Sequence, residues 1–259
     1  MRRGLFLLWL WMIAASGAID ALAQAPTPLK SGSDFQPAEM RRLQADDFAN
    51  PGRLWVSLGE QLWRSPRGEI RKSCADCHGD AARAMYGVAA RYPRWQSQSA
   101  RVINLEGQIN FCVAGQQKSP ALAYESEELL ALTAYVAFQS RGVPVSVKRD
   151  EADRPIYDQG QRLYTQRMGQ LNLACTHCHQ ANWGRNLLTD TISQGHGTGY
   201  PGYRFEWQKI GSLQRRLRAC YFGVRAEMPD YGSPDLLALE LYLAVRASGL
   251  ALEAPGVRK

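Results

Sequence analysis

The sequence has few of the features that mark membrane-spanning, nucleic-acid-binding or β-rich proteins. Beyond its first 25 residues, no apolar run approaches the ~20 residues that a membrane helix needs, so we expect a soluble mature protein with no membrane span. Alternating polar and apolar residues, which indicate strands, are nearly absent. The 259-residue chain has a formal net charge of +7, but its basic residues are dispersed apart from a cluster at 215–218. No nucleic-acid-binding motif is present, so we expect no nucleic-acid partner.

The first 25 residues have the pattern of a secretory signal peptide. Two arginines follow Met1, residues 5–15 are apolar, and Ala21 and Ala23 occupy the small-residue positions of a cleavage site. Ala25 ends a second candidate site, and an uncleaved anchor is the alternative. We expect residues 1–25 to be a signal peptide, residues 26–50 to be a polar extended arm, and the mature protein to lie in the periplasm.

Histidine is scarce, with four in the chain, and two of them close CxxCH motifs at residues 74–78 and 175–179. This spacing is typical of covalent c-type haem attachment, in which two thiols add to the vinyl groups of one haem and the histidine ligates the iron. We therefore predict two covalently bound c-type haems. The residues that would hold them are Cys74, Cys77, His78, Cys175, Cys178 and His179. Such haem is assembled outside the bacterial cytoplasm, which agrees with the export signal.

The two motifs lie in two copies of one unit. The sequence GEQLW at 59–63 and the sequence GQRLY at 160–164 precede the motifs at a constant offset of 101 residues. Tyr-Pro pairs at 92–93 and 200–201 follow the motifs at an offset of 108. The pattern indicates an internal duplication.

The duplicated unit is predicted to be helical. Residues 98–114 and 207–224 have apolar residues at helical spacing, and each copy closes with a helix that begins at Ser126 or Ser233. An amino-terminal helix, a CxxCH motif and a closing helix are the arrangement of a cytochrome c. The predicted fold class is all-α, with two tandem cytochrome c-like domains. The predicted domains are 51–145, with the first haem as an electron relay, and 150–259, with the second haem at the active site.

The two remaining cysteines, Cys112 and Cys220, occupy equivalent places at an offset of 108 residues. A thiolate is a strong haem ligand that stabilises ferric iron and lowers the reduction potential. We predict that each cysteine ligates the iron of its own unit opposite the motif histidine. Three alternatives remain open: His196 or Met228 as the second iron's ligand, and a disulfide between Cys112 and Cys220.

Only one of the two cysteines has cationic neighbours. Arg216 lies four residues before Cys220 on a predicted helix, so the two share a helix face, whereas the stretch before Cys112 has no basic residue. A guanidinium there would lower the thiol pKa and bind an oxyanion through two hydrogen bonds. We predict Cys220 and Arg216 as the catalytic residues; the alternative is a solvated basic helix face.

With these residues in place, the chain resembles the SoxA family, the dihaem subunits of the SoxAX cytochromes of periplasmic sulfur oxidation. The likeness covers nearly the whole mature chain. It rests on both CxxCH motifs, Cys112, Arg216, Cys220 and the sequence YGSP at 231–234. The resemblance implies His/Cys ligation of both irons, by His78 with Cys112 and by His179 with Cys220. It also implies a persulfide on Cys220.

The resemblance further implies a reaction and a set of partners. Thiosulfate would be joined oxidatively to a cysteine of the SoxY subunit of the SoxYZ carrier, giving a cysteine S-thiosulfonate and two electrons. The chain would pair with a SoxX-like haem subunit, and an acceptor cytochrome c would take the electrons. The arm at 26–50 is our candidate for part of the SoxX contact.

Two other functions stay open from the sequence. A plain dihaem electron-transfer cytochrome would use both cysteines only to set low potentials. A stand-alone thiosulfate dehydrogenase, which couples two thiosulfates to tetrathionate, resembles the same layout. Those enzymes generally carry methionine on the other haem, and Met228 keeps that interpretation open.

Overall fold

The structure, a computed structural model, describes residues 28–259, and helices form most of its regular structure. The predicted signal peptide at 1–25 lies outside the described residues. The helices are α1 (Ala38–Ala45), α2 (Arg53–Arg64), α3 (Cys74–His78), α4 (Ala81–Ala84), α5 (Leu105–Gly115), α6 (Glu127–Phe138), α7 (Arg154–Thr165), α8 (Cys175–His179), α9 (Leu213–Gly223) and α10 (Pro234–Arg246). Short 3₁₀ helices span Ser33–Phe35 and Ala89–Arg91. Among residues 28–259, no helix is long and apolar enough to cross a membrane.

Short strands pair into three small sheets beside these helices. They are β1 (Arg94–Gln96), β2 (Arg101–Ile103), β3 (Asn186–Leu187), β4 (Asp190–Thr191), β5 (Gly202–Arg204), β6 (Lys209–Gly211) and β7 (Gly256–Arg258). The hairpins β1–β2, β3–β4 and β5–β6 are antiparallel, and β7 adds to β5 in parallel. Within the part of the chain that the structure describes, no strand exceeds three residues, and the predicted all-α class is confirmed.

The two units repeat each other element by element. In each unit, the helix before the haem motif packs against the closing helix, α2 on α6 and α7 on α10. In each pair the helix backbones approach so closely that only glycine fits. A Cβ on Gly59 would collide with the carbonyl oxygen of Ala131, and a Cβ on Gly160 would collide with the carbonyl oxygen of Ala238. The paired glycines in GEQLW and GQRLY are therefore required by helix packing, in both copies.

The helices predicted for 98–114 and 207–224 begin later in the structure, at Leu105 and Leu213. The side chains of Asn104 and Ser212 cap these helices by accepting hydrogen bonds from backbone N–H groups three residues on. The hairpins β1–β2 and β5–β6 occupy the residues just before them. Three-residue strands are too short to show a period of two, which is why the sequence did not reveal them.

The segment predicted as an extended arm is partly helical and packs against the end of the chain. Helix α1 lies within it, and Gln44 Oε1 accepts a hydrogen bond of 3.0 Å from the backbone N–H of Val257. Asn50 Nδ2 donates to the carbonyl of Pro255 over 3.0 Å. Because these contacts join residues more than 200 positions apart, periodicity could not predict them.

A cavity of about 100 Å³ lies between the two units, and two glutamates, Glu106 and Glu240, line it. Glu240, 4% exposed, accepts hydrogen bonds from Asn104 of the first unit (2.9 Å) and Gln214 of the second (3.1 Å). Burial raises the pKa of Glu106 to about 7, and Glu125 adds to the rise. Burial and the charge of Glu106 raise the pKa of Glu240 to about 8. The units are thus joined at Glu240, and both buried carboxyl groups retain protons near neutral pH.

These raised pKa values predict that the fold loses stability as the pH rises. The folded state holds protons that the unfolded chain releases near pH 4.5, so the stabilising contribution is complete below that pH and is lost through about pH 7 to 8. The free energy of unfolding of wild type should therefore fall between about pH 5 and pH 9, and that of Glu106→Gln should fall by less. The difference between the two declines should be on the order of 2 kcal/mol. Denaturant unfolding of the haem-loaded protein at several pH values measures this difference.

The matched control is Glu39→Gln, which changes an exposed glutamate of α1. This variant should keep the wild-type pH dependence. A parallel decline of Glu106→Gln and wild type across the same range would contradict the buried-proton explanation.

Candidate functional site

Each CxxCH motif forms a short helix. The side chain of the third residue of the motif accepts a hydrogen bond from the backbone N–H of the residue just before the helix. In the first unit, the Asp76 carboxylate accepts a hydrogen bond of 2.7 Å from the backbone N–H of Ser73. In the second unit, His177 Nδ1 accepts one of 3.0 Å from the backbone N–H of Ala174. His177 therefore has a local role in holding helix α8, and the two motif cysteines share one helical turn as haem attachment requires.

His179 is oriented by the backbone of a distant loop. Its Nδ1 donates a hydrogen bond of 2.8 Å to the carbonyl of Ser193. This bond fixes the tautomer and leaves Nε2 as the nitrogen that can ligate a metal. The structure places Ser193 fourteen residues after His179, and Ser193 was not among the predicted site residues.

The structure brings Cys220 to His179. Cys220 lies on α9, and His179 is one of the groups that act on the pKa of its thiol. Burial by itself raises the pKa of the Cys220 thiol, but the neighbouring His179, Arg216 and Arg204 lower it and together outweigh burial. The net result is a pKa lowered from 9.0 to about 7. A substantial fraction of this cysteine is therefore a thiolate at neutral pH.

The donor set in the second unit fits a covalently bound haem. Cys220 also lies near the first motif cysteine: burial raises the pKa of Cys175 to about 11, and the charge of Cys220 is the next contribution. Two thiols on one helical turn, an imidazole with a fixed tautomer and a thiolate from another helix thus converge. These are the groups that would attach a haem and ligate its iron from two sides.

Arg216 lies one helical turn before Cys220 and faces it. The charge of Cys220 raises the pKa of this guanidinium and outweighs its burial, which shows that the two groups are close. Within residues 28–259, no hydrogen bond or ion pair to a protein acceptor is found for the Arg216 side chain. Its N–H groups are therefore available to an anionic ligand.

A second arginine, Arg204 on β5, also lowers the Cys220 pKa. It is 6% exposed and its Nε donates to Glu206 over 2.6 Å. Arg204 was not among the predicted site residues. Its equivalent in the first copy, at the offset of 108, is Gln96. The comparison of the two copies that identified Arg216 could therefore have identified Arg204 as well.

The first unit also brings its remaining cysteine to its haem motif, with a neutral side chain beside that cysteine. Burial raises the pKa of Cys74, and the charge of Cys112 raises it further, so Cys112 lies near the first motif cysteine. Gln108 Nε2 donates to Cys112 Sγ over 3.5 Å, and Gln108 is the equivalent of Arg216. His78 is exposed, with its ring 5.7 Å from that of Trp63. A neutral amide thus stands where the second unit has a guanidinium.

The alternative ligands have separate positions in the structure. All six cysteines are free, so Cys112 and Cys220 do not form a disulfide. His196 is buried in the loop after β4, with Nε2 3.3 Å from Gln194 Oε1. Met228 lies beyond the end of α9 with 41% of its surface exposed.

Comparisons with known proteins agree with this arrangement. The profile of the family described as SoxA/TsdA, cytochrome c domain matches residues 58–145, and that domain type carries covalently bound haem. The L-cysteine S-thiosulfotransferase subunit SoxA of Pseudaminobacter salicylatoxidans is 43% identical over 88% of this chain and 80% of its own length. The same subunit of Rhodovulum sulfidophilum is 34% identical over 95% and 89%.

A solved structure shares the fold over most of its length. The crystal structure of SoxXA from P. pantotrophus superposes with a TM-score of 0.85 at 34% identity, covering 88% of this chain and 86% of that chain. The resemblance inferred from the motifs is confirmed: the chain belongs to the SoxA family.

Proposed function

We propose that the chain is the SoxA subunit of an L-cysteine S-thiosulfotransferase. It joins the sulfane sulfur of thiosulfate to a cysteine of the SoxY subunit of SoxYZ, and the S–S bond of a cysteine S-thiosulfonate forms. The cysteine thiolate and thiosulfate together lose two electrons in this step. The observation that carries the proposal is a half-buried thiol, Cys220, one helical turn from the Arg216 guanidinium, with a pKa that His179, Arg216 and Arg204 lower to about 7.

The proposed cofactors are two covalently bound c-type haems. Cys74 and Cys77 would hold the first, with His78 and Cys112 as iron ligands. Cys175 and Cys178 would hold the second, with His179 and Cys220 as iron ligands. When bound, these haems supply acceptors for single electrons, which pass on to an acceptor cytochrome c.

The residues around Cys220 suit thiosulfate, a small dianion with a soft terminal sulfur. Arg216 would bind the sulfonate oxygens through charge-assisted hydrogen bonds and offset their charge. Arg204 adds a second positive charge near the same sulfur. Cys220, as a thiolate or with an added sulfur as a persulfide, would contact the sulfane sulfur. The environment thus orients the anion with its sulfur toward the cysteine.

The partners follow from the same proposal. A SoxX-like haem subunit would form the heterodimer, as in the SoxXA structure that this chain resembles. SoxYZ would be the protein substrate. The proposed location is the periplasm, where the predicted signal peptide would deliver the chain.

The matching family profile names TsdA beside SoxA, so thiosulfate dehydrogenase is a second candidate function. The deciding experiment gives the haem-loaded protein thiosulfate and an electron acceptor, with and without a reduced SoxY-type carrier and the SoxX-like subunit. A thiosulfonate adduct on the carrier cysteine, read by mass, supports the transferase. Tetrathionate formed without the carrier would instead make the protein a dehydrogenase. Absence of any thiosulfate-dependent haem reduction would leave a plain electron-transfer cytochrome.

Cys220→Met should abolish turnover while the haems stay attached. The variant keeps a ligand for iron but removes the sulfur that contacts thiosulfate, so adduct formation should fall on the order of 10³-fold or more. Mass spectrometry of the carrier and pyridine haemochrome spectra measure the two quantities. Cys112→Met is the matched control and should lose far less adduct formation. Normal turnover in Cys220→Met would contradict the catalytic assignment.

Arg216→Gln gives the second unit the residue that the first copy has at the equivalent position, Gln108. The loss of a charge-assisted hydrogen bond should raise the KM for thiosulfate about 10- to 100-fold. Electron exchange with cytochrome c should change little, because that step needs no anion at Arg216. Steady-state kinetics with thiosulfate and stopped-flow reduction by cytochrome c separate the two effects.

The control is Arg162→Gln, which removes an exposed arginine of α7 and should leave both rates unchanged. Equal losses of thiosulfate use and electron exchange in Arg216→Gln would count against an anion-binding role for Arg216.

A further inference from the structure

The loop at 193–196 lies against the side chain of His179. Ser193 supplies the carbonyl that accepts the hydrogen bond from His179 Nδ1. A Cβ on Gly195 would lie 2.9 Å from His179 Cγ, and the φ angle of this glycine is +78°. The loop backbone therefore sets the position of the imidazole ring from two directions, and any shift of the loop reaches His179.

Gln194 ties this loop to the amino-terminal segment. Its side chain is 5% exposed, and its Oε1 accepts a hydrogen bond of 2.8 Å from the backbone N–H of Lys30. Its Nε2 donates to the carbonyl of Pro28 over 3.0 Å. These two hydrogen bonds join residues more than 160 positions apart. The side-chain amide of Gln194 pairs with the backbone of the segment as a neighbouring strand would.

Three further contacts hold the same assembly in place. Arg246 on α10 donates to the Gln194 carbonyl over 3.3 Å. The ring of Phe35 packs edge-on against Trp183, with centroids 6.1 Å apart, and Lys30 Nζ lies 5.7 Å from the same ring. Trp183 is four residues after His179. The amino-terminal segment therefore contacts the chain at two places after His179, at Trp183 and at Gln194.

The first unit has no such arrangement within the described residues. Five residues before the Tyr-Pro pair, Gly87 adopts a φ of +69° as Gly195 does. The equivalent of Gln194 is then Tyr86, which is 68% exposed and makes no side-chain hydrogen bond to the amino-terminal segment. The duplicated loop geometry is shared, but its attachment to the amino-terminal segment belongs to the second unit alone.

We propose that Gln194 is a positioning residue through which the segment at 28–31 fixes the hydrogen bond between Ser193 and His179. The inference rests on the proposed role of His179 as the proximal ligand of the second haem. A histidine that donates a strong Nδ1–H bond is a more basic ligand, and a more basic ligand favours ferric iron. Holding the loop therefore keeps the second haem's reduction potential low. Within residues 28–259, the equivalent loop of the first unit has no such attachment to the amino-terminal segment.

The test uses the full, haem-loaded protein with Gln194→Leu, which keeps the side-chain size and removes both hydrogen bonds to the segment. Potentiometric titration should show the second haem at a higher potential than in wild type, with the first haem unchanged. Electron paramagnetic resonance of the ferric protein should show altered g-values for the second haem only. The matched control is Tyr86→Leu in the equivalent loop, which should leave both haems as in wild type.

A deletion of residues 26–31 tests the same link from the other side, because it removes the partners and keeps Gln194. It should reproduce the potential shift of Gln194→Leu. Wild-type potential and g-values in both folded variants would overturn the proposal. A second-haem spectrum in wild type without histidine ligation would instead overturn the ligand assignment, so the two failures are distinguishable. A loss of thermal stability without any spectral change would show a structural role and would also overturn the proposal.

Discussion

The approach of His179 to Cys220 is the contact on which the rest of the site depends. The two residues lie on separate helices, α8 and α9, and no local sequence pattern brings them together. The turn before the haem motif makes the approach possible: Gly169 adopts a φ of +67°, and a Cβ there would collide with the Val224 carbonyl oxygen just after α9. Because only glycine fits this conformation and this space, the turn can rest against the helix that carries the cysteine.

The first unit has an equivalent glycine contact. The two units differ in the charge of the side chains at equivalent positions near the cysteine. Gly68 meets the Gln117 carbonyl as Gly169 meets that of Val224. A duplicated backbone thus brings a cysteine near the first cysteine of each haem motif. In the second unit, the positions of Gln96 and Gln108 are occupied by Arg204 and Arg216. Positive charges stabilise a thiolate against the cost of burial, so one scaffold places a neutral amide beside Cys112 and a guanidinium beside Cys220.

The sequence predicted the features that depend on short residue spacings or on the internal repeat. The CxxCH motifs, the duplication, the closing helices and the equivalence of Cys112 and Cys220 all follow from residue identity at fixed offsets. The hairpins escaped prediction because their strands have three residues or fewer. Arg204 and Gln194 were not predicted, because their roles depend on contacts with residues far along the chain. A systematic comparison of every paired position would have found Arg204, but Gln194 needs the tertiary structure.

The buried carboxyl of Glu240 explains how two repeated units can hold a fixed relation. Asn104 caps α5, the helix that carries Cys112, and Gln214 lies on α9, the helix that carries Cys220. Both side-chain amides donate to one oxygen of Glu240. Each of these hydrogen bonds contributes about 0.5–1.5 kcal/mol net, because separating the units would exchange them for hydrogen bonds to water. This glutamate on α10 therefore links the two cysteine-bearing helices, together with Glu125, which accepts a hydrogen bond of 3.1 Å from the backbone N–H of Ser212.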